Sequence, residues 1–77
     1  MQVGSLVITA SDLSEKVNVF LEPIVAQHSF WVYNGTLGIV LEIGDPKNGT
    51  YYGEVFVVFN TGKHGWVPRV HLSEVEL

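Results

Sequence analysis

The side chains that catalysis would need are present, but none stands at a spacing that catalysis requires. His28, His64 and His71 are too far apart in sequence to make a close ligand pair. There is no Gly-x-Ser-x-Gly elbow, no phosphate loop and no His-Glu-x-x-His. Serine, histidine and aspartate all occur, and only proximity in space would make a triad of them. The chain has no cysteine, which removes thiolate metal sites and disulfides together. Glu42 and Glu54 fall on neighbouring predicted strands, where the simplest reading is two solvated outer-face carboxylates. The expectation is no enzyme, no metal site and no cofactor.

Binding has better candidates. Tyrosine and tryptophan join an apolar body to a polar handle, which suits interfaces and ligand grooves. Trp31 and Tyr33 share one face of an alternating run, opposite Phe30 and Val32. Tyr51 and Tyr52 begin a later strand, and Trp66 precedes Pro68. Trp66 also fits a core plug, and the tyrosines also fit covers for the barrel ends. A second set is basic: Lys63, His64, Arg69 and His71 gather near the C-terminal hairpin. Two fixed charges give weak phosphate-driven affinity, and an ordinary solvated hairpin is the better account of them.

The elements that must position these residues read mostly as short strands. Val3 to Ala10 is a first strand, with Leu6, Ile8 and Ala10 on one face. Asp12 and Glu15 fit a helical N-cap and its capping-box partner, so a turn or helical turn is expected over 11 to 16. Val17, Val19 and Leu21 then alternate as in a strand. Pro23 marks an edge or a break, and Ile24 to Tyr33 reads as a further extended run, with His28 half buried in it. Asn34-Gly35 is a turn. Thr36 to Ile43 is a strand with Leu37, Ile39, Leu41 and Ile43 on one face, and residues 44 to 49 form a loop. Tyr51 to Phe59 follows, with Val55, Val57 and Phe59 on one face and Phe56 and Val58 on the other. A strand that is apolar on both faces is doubly buried, or is covered by an excursion or a partner. Asn60 to Lys63 is a hairpin loop with His64 exposed beside it. Gly65 to Arg69 is a short strand, and Ser73 to Leu77 closes the chain with Val75 and Leu77 inward.

Composition sets the class. Of the 77 residues, 47% are hydrophobic and only 16% charged, against about 25% charged in a typical soluble domain. Such a chain must build an efficient core or cover apolar surface with a partner. The net charge of −4, eight acids against four bases, weighs against nonspecific binding to nucleic acid or acidic membranes. No apolar run approaches the roughly 20 residues that span a bilayer. The first five residues lack the basic start and long apolar core of a signal peptide. Asn34-Gly35-Thr36 and Asn48-Gly49-Thr50 match a glycosylation acceptor, yet Asn-Gly is first a turn signal. The expectation from these features is a cytoplasmic protein.

Two stretches bear a likeness to known families. Gly35-Thr36-Leu37-Gly38-Ile39-Val40-Leu41-Glu42-Ile43 resembles the KOW motif, and Gly65-Trp66-Val67-Pro68 with Leu72 resembles the end of a Src-homology-3 domain. With the opening Val3 to Val7, the order of pieces is similar to small phage-encoded barrel proteins, mostly of unassigned function. The likeness covers about two thirds of the chain, skips residues 11 to 34, and carries fold more than function. Where a peptide-binding Src-homology-3 domain has Ser-Asn-Tyr after its proline, this chain has Arg69-Val70-His71. It also lacks an acidic specificity loop and an Ala-Leu-Tyr-Asp-Tyr-like first strand. The resemblance implies instead a docking site for a protein.

The resulting expectation is a single all-β domain over residues 1–77. It is a Src-homology-3-like barrel of five or six strands with an extended excursion after the first strand. It acts without catalysis through protein contacts, including contacts with itself. The alternative is a KOW-like nucleic-acid module using the basic hairpin. The excursion over 11 to 34 is where function is sought.

Overall fold

The computed structural model describes residues 1–23, 27–51 and 53–76. Seven strands form one antiparallel sheet that curls into a half-barrel: β1 (Leu6–Thr9), β2 (Lys16–Phe20), β3 (Ser29–Tyr33), β4 (Leu37–Ile43), β5 (Glu54–Phe59), β6 (His64–Pro68) and β7 (Leu72–Glu74). The order across the sheet is β3-β2-β6-β5-β4-β1-β7. Seven strands replace the expected five or six because the excursion is itself a hairpin. β2 and β3 pair along their whole length, and β2 joins β6 through Phe20 opposite Trp66. Among the described residues no helix is long and apolar enough to cross a membrane.

The concave side is filled almost entirely by valine: Val7, Val17, Val19, Val32, Val40, Val55, Val57 and Val67, with Phe59 and Leu72. β-branched side chains suit a pleated, tightly curved surface, because their rotamers are already restricted. Val57 meets a crowded part of this interior. A Cβ on Gly38 would lie 2.4 Å from its Cγ1, and one on Gly65 would lie 2.6 Å from Val19 Cγ1. These two glycines, read in the sequence as motif positions, are the inward residues that let facing strands approach.

The register decides which face of each strand is inside. In β1, Val7 and Thr9 are buried, while Leu6 and Ile8 lie half-buried on the opposite face. In β4, the pairing slips between Val40 and Glu42, a bulge that inserts one residue and reverses the alternation. Leu37, Ile39 and Leu41 share the outward face, and past the bulge Ile43 leaves that face and packs against the core. In the segment before β2, no helical turn forms. The Ser11 and Ser14 hydroxyls instead accept from the backbone N–H groups of Leu13 and Lys16, the local competition that makes serine a turn residue.

Other turns follow their chemistry. Gly35 takes φ 86°, as the Asn-Gly turn requires. Asp45 caps a single 3-10 turn over Pro46–Asn48 by accepting from Lys47 N at 2.9 Å. The basic segment after Pro68 is another 3-10 turn, Arg69–His71, leading into β7. Leu77 lies outside the described residues, as does the start of the extended run from Ile24.

Candidate functional site

The strand aromatics with the most free surface are those of the excursion. β2 and β3 present Lys16, Asn18 and Phe20 outward beside Tyr33, Trp31 and Ser29, while Val17, Val19 and Val32 turn into the core. Alternation thus separates anchor from display within five residues. Trp31 is 58% exposed and Tyr33 65% exposed. The Lys16 ammonium stands 5.1 Å from the centre of the Tyr33 ring, a cation–π contact that holds its stem along the hairpin.

A groove of about 310 Å³ runs along this surface, lined by Leu13, Lys16, Asn18, Phe20, Trp31 and Pro68 among others. Its polar element is Asn18, directly opposite Trp31 in the register. The Asn18 Oδ1 is buried and accepts no hydrogen bond among the described residues. An orphan acceptor costs about 1–3 kcal/mol, and a donor arriving with a partner recovers it. Leu13, at 98% exposed, stands at the lip of the groove with its side chain in solvent.

The turn joining β3 to β4 ties the hairpin to the barrel. Asn34 Nδ2 donates to Ser14 O at 2.7 Å and to Ser11 O at 3.2 Å. Thr9 is buried, and its hydroxyl donates to Tyr33 O at 2.8 Å. At the far end, His28 N donates to Glu22 Oε2 at 3.1 Å, and the His28 ring contacts Glu22 Oε1. This hydrogen bond from the ring is the main reason the Glu22 carboxyl lies below its ordinary value. His28 is exposed rather than half buried, because it precedes β3 and turns toward Glu22.

The other aromatic candidates divide. Trp66 is 6% exposed and meets Phe56 edge-on at 5.2 Å, so it supports the sheet from its convex side. His64 stacks obliquely on the same Phe56 ring at 5.4 Å. The apolar outer face of β5 is therefore covered from within the chain. Tyr51 is exposed after the loop that precedes β5, away from the hairpin in sequence and pairing. Tyr52 lies outside the described residues.

The basic set does not converge. Lys63 and His64 stand at the start of β6, and Arg69 and His71 follow its end. At about 3.3 Å per residue, Lys63 and Arg69 are about 20 Å apart. Lys63 is further drawn away, its ammonium 5.2 Å from the Phe30 ring centre. Among the described residues, no group of three His, Cys, Asp or Glu side chains comes together as metal ligands would.

Sequence reasoning missed Asn18 and the orphan acceptor. Its position on a polar strand face was readable, but nothing local shows that Oδ1 would be buried without a partner. No protein-family model matches the chain, and neither a curated protein nor a solved structure matches it.

Proposed function

We propose that this protein is a non-enzymatic Src-homology-3-like barrel that works through protein contacts, self-association among them, made by the outer surface of the β2–β3 hairpin. The observation that carries this reading is the exposure of Trp31 and Tyr33 at outward positions of a fully formed strand. Rigid aromatics on a strand give contact area at little entropic cost, the usual anchors of a protein interface. Asn18, opposite Trp31 in the register, lines the same groove as Phe20. Leu37, Ile39 and Leu41 add a second apolar area on the outside of β4. The barrel assignment is supported by β1 lying between β4 and β7, and by a 3-10 turn between Pro68 and the last strand.

Light scattering after size exclusion over a wide concentration range tests the self-association. A mass that rises with concentration supports it, and a strict monomer removes it. Trp31→Ala and Leu41→Ala, compared in the same experiment, assign the contact: loss on the first change alone places it on the hairpin. Retention of low-salt binding to single-stranded nucleic acid by a monomeric protein would favour the KOW-like alternative.

A further inference from the structure

The two ends of the sheet are treated differently. β7 has three residues, carries Glu74, and its Glu74 carboxylate pairs with the Met1 ammonium at 2.5 Å. Short length and charge are the usual protections of a sheet edge. β3 has neither. Ser29–Tyr33 is uncharged, free of proline and bulges, and pairs with β2 alone.

The register states which backbone groups are open. Asn34 N donates to Glu15 O and Leu21 N to His28 O, both at 2.9 Å. In an antiparallel ladder these flanking bonds make Lys16–Tyr33, Asn18–Trp31 and Phe20–Ser29 the non-hydrogen-bonded pairs. β2 is thus held through Phe30 and Val32, while the N–H and C=O groups of Ser29, Trp31 and Tyr33 point away from it. Tyr33 O is taken by the hydroxyls of Thr9 and Thr36, at 2.8 and 2.6 Å. No hydrogen bond among the described residues reaches the backbone of Ser29 or Trp31 from the open side.

We infer that β3 is a self-pairing edge: two copies of this chain join their sheets antiparallel through the backbones of Ser29 and Trp31. Using only the open groups fixes the register. Ser29 stands opposite Trp31 of the partner subunit, each such pair exchanging both backbone bonds, and Phe30 stands opposite Phe30 of the partner subunit. β3 itself carries no charge to set against its own copy, so a second copy is an occupant the strand does not repel, with Lys63 beside Phe30 the cation that the join must accommodate. Each Trp31 then covers the small Ser29 position of the other chain instead of colliding with a second tryptophan. The inference rests on the self-association proposed above and names its contact.

The test is a charge exchange read by light scattering, with a thermal melt to verify folding. The wild type is expected to dimerise. The double variant S29K/W31K sets lysine opposite lysine and is expected to weaken dimerisation about tenfold or more, since like charges opposite on a ladder repel. S29E/W31K sets opposite charges in the same places and is expected to restore it. Hydrogen exchange on the wild type needs no variant: protection of the Ser29 and Trp31 amides should rise with protein concentration, while that of Phe30 and Val32 should not. A dimer unchanged by S29K/W31K, or Ser29 and Trp31 amides indifferent to concentration in a dimerising protein, would overturn the edge and leave self-association standing. A folded S29E/W31K that stays monomeric would overturn the register. A wild type that is monomeric throughout would overturn both the edge and the self-association.

Discussion

The β4–β5–β6 meander and the β2–β3 hairpin are built from the same alternating valines, yet they are secured differently. In the meander, β5 is paired on both sides over most of its length, with Val55 and Val57 fully buried beneath it. Its outer aromatics, Phe56, His64 and Trp66, cover one another. The hairpin has one pairing to the rest of the sheet, at Phe20, and one open edge. Its hold comes from valines placed inward and from the Asn34 and Thr9 bonds at its base. A region paired on both sides spends its surface on stability. A region held by one face keeps its other face and its edge for contact. Local opening should follow the same division, with the hairpin exchanging before the meander.

The largest effect that would sharpen this contrast is expected at Val57. Val57→Ala removes two buried methyl groups where Gly38 already leaves no slack, and about 2–3 kcal/mol of global stability should go. Denaturant unfolding monitored at the tryptophans reads it as a shifted midpoint with unchanged slope. An equal loss from exposed Leu41→Ala would break the distinction between the faces.

A smaller effect is expected where the two regions touch. A methyl on Gly65 meets Val19 Cγ1 at 2.6 Å and Phe20 O at 2.7 Å. Gly65→Ala should cost about 1–3 kcal/mol, because one of the groups in the way is backbone and cannot turn aside. Residue-resolved hydrogen exchange should show β2 and β3 amides losing more protection than those of β4 and β5. Uniform loss across the sheet would mean that hairpin and meander open as one unit.

The smallest effect lies at the hairpin's far end. Glu22 is half-buried, and the hydrogen bond from His28 holds its carboxyl below the ordinary carboxylate range. A carboxyl lowered in the folded state contributes stability above the ordinary carboxylate range and loses it as pH falls through the lowered folded value. Melting curves of Glu22→Gln and wild type should therefore differ slightly near neutral pH and converge in acid. A gap that widens in acid would show that the Glu22–His28 contact does not form in the hairpin's ground state.

Particular residues show where legibility ended. Val55, Val57 and Phe59 were assigned to one face by period two alone, and they share the core. Trp31 and Tyr33 were likewise placed together, opposite Phe30 and Val32, and the register agrees. In β4 the same rule holds for Leu37, Ile39 and Leu41 and fails only at Ile43, because the bulge at Leu41 depends on pairing with β5 and leaves no mark in the run Leu37 to Ile43. Asp12 and Glu15 carried a helical signal that Ser11 and Ser14 outweighed once Lys16 entered the ladder. The gathering of Lys63, His64, Arg69 and His71 was a sequence proximity that a straight strand between them pulled apart.

What the sequence by itself determined is the set of strands, their turns and the face on which most side chains stand. These depend on local sterics and on a periodicity of two residues, both written in neighbouring positions. What only the tertiary structure decided is which face is inside at each strand, which glycines a facing strand requires, and which edge stays open. Those outcomes depend on strands far apart in the chain meeting at a given register, and the free energy that selects among them belongs to the pairs rather than to any one segment. The chemistry-bearing residues follow the same division: Trp31 could be named from its own neighbourhood, but the groove beside it, which brings Asn18 and Phe20 together with Leu13 and Pro68, exists only in the folded chain.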